Sequence, residues 1–154
     1  MTDDTLYKSA LTKAMNLCAG REYCSDDIRG KLSSWGISEK DKARIIETLV
    51  AENFINEMRY AGAFVKDRFR HNRWGRLKIS AQLRAKRISQ EVIDSALETL
   101  GKDEYRQVLE EMLSSHRKTV KAKNQYDLKG KLMRFGLSRG FESHLLYDIL
   151  GEME

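Results

Sequence analysis

Apolar positions recur along the chain at helical spacing, and one arrangement of them returns three times. Leu11, Ala14, Met15 and Cys18 form a stripe that predicts a first helix from about Thr5 to Ala19, closed by Gly20. Ser25 reads as the N-cap of a second helix, with Asp26 and Asp27 where carboxylates suit the helix dipole. Ile28, Leu32 and Trp35 share one face of it, and Gly36 ends it. Ser38 caps a third helix whose Ile45, Ile46, Leu49 and Val50 face inward. Ile28-x3-Leu32-x4-Ile37 is then matched by Ile79-x3-Leu83-x4-Ile88 and by Leu128-x3-Leu132-x4-Leu137. Later anchors follow in step: Ile46 and Leu49, Leu97 and Leu100, Leu146 and Ile149. A longer amphipathic helix precedes each copy, as with Tyr105, Val108, Leu109, Met112 and Leu113, and a serine (Ser38, Ser89, Ser138) opens each third helix. The pattern predicts an all-α protein of three tandem three-helix repeats, residues 1–54, 55–101 and 102–154, joined end to end into an elongated array. A unit of this size has a thin core, so stacked neighbours are expected to bury more surface.

The middle copy departs from the other two. Lys86 stands where the alignment puts Trp35 and Phe135, and Arg87 where it puts Gly36 and Gly136. A left-handed residue other than glycine costs about 1–2 kcal/mol there, so the middle unit either ends its helix differently or bears that cost. It has exchanged two structural residues for two cations, which points to a surface in use.

Charge sharpens this. The net charge is +5, but residues 59–139 carry a strong positive excess while residues 140–154 hold acids and no base. The stretch from Asn56 to Ser89 begins with a helix whose Tyr60, Ala61, Phe64, Val65 and Phe69 form the apolar side. Arg59, Lys66, Arg70 and Arg73 fall on the opposite side, and Arg76, Lys78, Arg84, Lys86 and Arg87 continue the run. Arg68 points toward the apolar stripe and is expected to bury its stem and pair its head. Trp74, between arginines and beside Gly75, fits core and contact roles equally. With Lys118, Lys121 and Lys123 from the third unit, these cations form the candidate surface for an anionic partner. The acidic tail, including Glu142 and Glu152, is expected to lie outside that surface, so that charge reversal there leaves binding unchanged or slightly stronger.

Catalytic patterns are missing. Gly30-Lys31 and Gly130-Lys131 lack the glycine and hydroxyl residue of a phosphate loop, and three scattered histidines make neither a triad nor a metal site. Cys18 and Cys24 have neither zinc nor redox-motif spacing; Cys18 reads as a small core residue and Cys24 as a free thiol. No catalytic residue, cofactor or metal is therefore expected. No apolar run approaches the roughly 20 residues that span a membrane, and the first residues lack a signal core, so a cytoplasmic protein is expected.

Particular runs resemble the RecX family, regulators of the RecA recombinase. They are R-E-Y-C-S-D-D-I-R-G-K-L from Arg21 to Leu32, F-I-N-E-M-R-Y-A-G-A-F-V from Phe54 to Val65, the Arg68 and Gly75 positions, and I-S-A-Q-L-R-A-K-R-I from Ile79 to Ile88. Asn56 and Arg87 depart from the family's usual aspartate and glycine. The resemblance implies a curved array of three-helix repeats that lodges in the groove of the recombinase filament on DNA. There it would limit filament growth, ATP hydrolysis, strand exchange and repressor cleavage, acting in DNA repair, recombination and the SOS response. The expected partners are the RecA filament and, weakly and without sequence preference, DNA; a monomer is expected. The alternative is a non-sequence-specific DNA-binding helical protein with no recombinase partner.

Overall fold

Side-chain caps set where most helices begin. Ser38, Asn56, Ser89 and Asn124 each accept a hydrogen bond from the backbone N–H three residues on. In the second helix the cap is Cys24, not Ser25: its sulfur accepts from Asp27 N at 3.4 Å. With no proline in the chain, nothing interrupts the helices sterically. The computed structural model describes residues 3–152, and these form nine helices in an elongated array of three-helix units. The first unit holds α1 (Asp3–Gly20), α2 (Ser25–Ser34) and α3 (Glu39–Ala51). The second holds α4 (Glu57–Arg70), α5 (Arg76–Ala85) and α6 (Gln90–Leu97). The third holds α7 (Lys102–Thr119), α8 (Gln125–Ser138) and α9 (Ser143–Glu152).

The turn after each second helix fixes the true register of the repeat. Gly36, Arg87 and Gly140 all have left-handed backbones, with φ of 75°, 63° and 90°. In each, the next residue's N–H reaches back to a carbonyl five positions earlier: Ile37 to Leu32, Ile88 to Leu83, Phe141 to Gly136. The middle unit therefore bears the cost of an arginine in this conformation. The third copy is offset by one helical turn from the sequence alignment. Its equivalents of Ile28, Leu32 and Ile37 are Leu132, Gly136 and Phe141, while Leu137 is exposed. Arg139, not Phe135, matches Trp35 and Lys86. Ser138 does not open α9; it lies in α8, and Glu142 holds the place of Ser38 and Ser89. Gly136 can replace a leucine because Leu146 fills the space, reaching within 2.3 Å of where a β-carbon would stand.

The apolar residues divide into two cores rather than three. Ala10, Ala14, Ile28, Leu32, Ile45 and Leu49 belong to a core built from the first unit and closed by Ile55 of the connection to α4. The second and third units share one core, running from Val65 and Phe69 through Leu83 and Ile93 to Leu109, Leu132 and Leu146. Cys24 is the first unit's contribution to that shared core. Cys18 packs against the first core without being fully buried. Leu32, Leu83 and Leu132 are all fully buried. Replacing any one with alanine is expected to lower stability by about 2–5 kcal/mol, read from denaturant unfolding, where an exposed position would give under about 0.5.

Candidate functional site

Both seams between units are closed by charge, the second also by aromatic contact, and the cations involved come from the basic middle. At the seam of units two and three, Tyr105 stacks on Phe69 at 5.6 Å and lies 5.1 Å from the Phe141 ring. Its hydroxyl accepts from Arg76 N at 2.9 Å and donates to Glu142 Oε1 at 2.5 Å. The Arg76 guanidinium lies over the Tyr105 ring at 3.8 Å and donates to Glu142 Oε2 at 2.8 Å. Burial and the carboxylate beside it push the Tyr105 hydroxyl above its ordinary pKa, so it stays a donor. The backbones meet here too: Gly75 N donates to Arg139 O at 2.7 Å and Leu77 N to Gly140 O at 3.0 Å. Arg76 is thus turned into the fold rather than onto the open face. Glu142 is no neutral tail residue. Its side chain is only 18% exposed, and reversing its charge would oppose Arg76 with a second cation inside the seam.

At the seam of units one and two, Lys86 pairs with Asp27, Arg87 stands 3.8 Å from Asp26, and Arg59 donates to Glu22 at 3.0 Å. Arg59 also reaches the Asn53 carbonyl, so it clasps both sides of the α3–α4 turn. Burial pushes the Asp27 carboxyl up. Hydrogen bonds from Lys86 and Cys24 outweigh that and hold it below the usual carboxylate range. Cys24, buried, is raised to about 11 and remains a thiol. A depressed carboxyl stabilises the fold above its unfolded pKa and loses that contribution as pH falls through its folded value. Asp27→Asn should therefore melt lower than the parent at neutral pH, by about 0.5–1 kcal/mol for this partly exposed pair. The two curves should converge only at acid pH below the depressed folded pKa of Asp27, where both proteins lack the charge.

The other candidate cations are open. Lys66, Arg70, Arg73, Lys118, Lys121 and Lys123 are exposed. None takes part in an ion pair among the described residues. Arg84 donates to Ser80 Oγ at 2.7 Å, and Lys78 lies 4.7 Å from the Trp74 ring. Arg73 has a left-handed backbone, φ 56°, in the turn that carries the chain from α4 to α5. A groove of about 410 Å³ brings Arg73 and His71 to Arg139 and to His116 near the end of α7. His116 stacks on Phe135 at 3.9 Å; Phe135 still packs, half-buried, against the shared core, though not at the position that matches Trp35.

A second cleft, of about 360 Å³, lies between units one and two and was not legible as a site in sequence. Arg21, Tyr23 and Lys31 line it from the first unit, and Tyr60, Phe64, Arg68, Trp74, Gln82 and Lys86 from the second. Arg68 pairs with Asp67 at 2.9 Å while lying over both Phe64 and Trp74, as its helical position foretold. The signal that could have found the cleft is the Arg21-x-Tyr23 pair ahead of α2. Among the described residues no group of His, Cys, Asp and Glu is placed to hold a metal, and no helix is long and apolar enough to cross a membrane.

Fold and seams define a tandem array of three-helix modules, clamped at its joints by ion pairs, with the exposed candidate cations Lys66, Arg70 and Arg73 on the second module and Lys118, Lys121 and Lys123 at the end of α7 and in the loop that follows. Residues 56–97 match the profile of RecX, second three-helix domain. The regulatory protein RecX of Clostridium botulinum (strain Eklund 17B) is 31% identical over 129 residues, covering 81% of this chain and 59% of that protein. The chain thus spans somewhat over half the length of that relative. The RecX protein of Prosthecochloris aestuarii is 26% identical, with 97% of both chains covered. The crystal structure of RecX from Lactobacillus salivarius has the same fold, with a TM-score of 0.83 at 19% identity over 97% of each chain. The chain belongs to the RecX family.

Proposed function

We propose that the chain inhibits a RecA-type recombinase in the cytoplasm by binding, as a monomer, along the groove of the recombinase–DNA filament. There it limits filament growth, ATP hydrolysis and strand exchange. The single observation that carries this beyond family membership is the division of labour among the cations. Arg59, Arg76, Lys86 and Arg87 face carboxylates at the seams, whereas Lys66 and Arg70 on the outer side of α4 and Arg73 in the turn after it are left without one. Arg73 holds its place at the cost of a left-handed backbone. A filament presents carboxylate and phosphate together, and arginine grips either through two parallel hydrogen bonds. The family is regulatory, and no chemistry beyond binding is required of these residues.

The test is DNA-dependent ATP hydrolysis by the cognate recombinase, which should fall as the chain is added in amounts below one per recombinase subunit. Binding to naked DNA should be weak, indifferent to sequence, and lost as salt rises, because released counterions drive it. A DNA affinity unchanged between low and moderate salt would contradict the electrostatic account. Undiminished hydrolysis with tight DNA binding would favour the DNA-binding alternative.

A further inference from the structure

We propose that the cleft between the first and second units is a binding site for single-stranded nucleic acid. It would take one base against Trp74 and Arg68 and the adjoining phosphate against Arg21 and Lys31. The cleft is not the face argued above. Tyr60, Phe64 and Arg68 follow one another down one side of α4, and Lys66 and Arg70 lie on the other. The two readings therefore stand independently.

Three features of the cleft point to this ligand. Its walls offer planar surfaces: the Arg68 guanidinium lies 4.8 Å from the Phe64 ring centre and 5.5 Å from that of Trp74, and Arg21 covers Tyr23 at 4.6 Å. Aromatic rings and arginine planes accept any base by stacking. Its charge is positive, because the one carboxylate among its lining residues, Asp27, is already held by Lys86. One of its lining residues carries an unmet donor: Arg68 Nε is buried and has no hydrogen-bond partner. A base carbonyl or phosphate oxygen would satisfy it. An acidic peptide would match the charge but leave the rings unused. A duplex keeps its bases paired and stacked, out of reach of such a cleft unless one is flipped. The volume, about 360 Å³, sits at the lower end of small-ligand sites and suits a single nucleotide.

The experiment uses the full chain carrying Trp35→Phe, which leaves Trp74 as its one tryptophan. Its emission is followed at moderate salt while oligothymidylate of about 12 nucleotides, a duplex of equal length, or polyglutamate is added. Oligothymidylate should quench Trp74 saturably; duplex and polyglutamate should not. Adding Arg21→Glu and Lys31→Glu, both exposed positions that leave the core untouched, should weaken oligothymidylate binding at least about tenfold while changing duplex binding by less than about threefold. Equal quenching by duplex would assign the cleft to general phosphate attraction, and quenching by polyglutamate to an acidic peptide; either overturns the proposal. So does oligothymidylate that binds without changing Trp74 emission or fails to bind, or a charge-reversed variant that binds it as the parent does.

Discussion

Gly75→Ala is expected to be among the most destabilising substitutions in the chain that add rather than remove atoms. A β-carbon there would stand 2.4 Å from Gly140 O, 2.5 Å from Gly140 C and 2.6 Å from Phe141 N. All three are backbone atoms, so no side chain can swing aside. Relief requires separating the α8–α9 turn from the start of α5. That breaks the hydrogen bonds from Gly75 N and Leu77 N and pulls Glu142 from Arg76 and Tyr105. Overpacking together with lost inter-unit hydrogen bonds is expected to cost about 3–5 kcal/mol in denaturant unfolding. Gly62→Ala is the control. It lies inside α4 with open space around it, and should be stabilising by about 0.5–1 kcal/mol. A Gly75→Ala protein within about 1 kcal/mol of the parent would mean that units two and three do not close on this contact.

The largest functional effect is expected from Arg70→Glu combined with Arg73→Glu. Both side chains are exposed and neither takes part in an ion pair among the described residues, so the helix and the seams should survive, and a melting curve checks this. Each reversal replaces attraction to filament carboxylate or phosphate with repulsion. Inhibition of DNA-dependent ATP hydrolysis should weaken at least about tenfold, equivalent to ~1.4 kcal/mol of binding. Inhibition equal to the parent at moderate salt would leave this face as mere solvated surface. The contact would then be sought along Arg117 to Arg134.

The helices and their faces were legible because period and caps agree: Ser38, Ser89, Ile28, Leu32, Ile79 and Leu83 stand where the pattern places them. The third unit misled for a physical reason. Leu128, Leu132 and Gly136 succeed one another at four-residue steps, so a helix shifted by one turn keeps the same apolar face. Only the backbone shows that Gly140, not Gly136, turns left-handed. Cys24 was passed over as a cap because a thiol is a weak acceptor and Ser25 stands beside it. Arg76 and Glu142 were assigned to a basic middle and an acidic tail. Residues 66 positions apart show their pairing only when the chain folds, and composition sums charges without joining them. The same limit hid the cleft between units one and two, whose walls come from α2, α4, α5, the loop before α2 and the turn between α4 and α5. The outer side of α4, by contrast, is local, so its periodicity already placed Lys66 and Arg70 together.

The central claim is that the partner is the recombinase filament rather than DNA itself. Sedimentation of the chain with recombinase–DNA filaments, beside the same DNA alone, at moderate salt, tests it most directly. The account predicts that the parent chain pellets far more with filaments than with the same amount of naked DNA, and that the Arg70→Glu, Arg73→Glu protein loses that excess. Pelleting to the same extent with DNA alone as with filaments would contradict it.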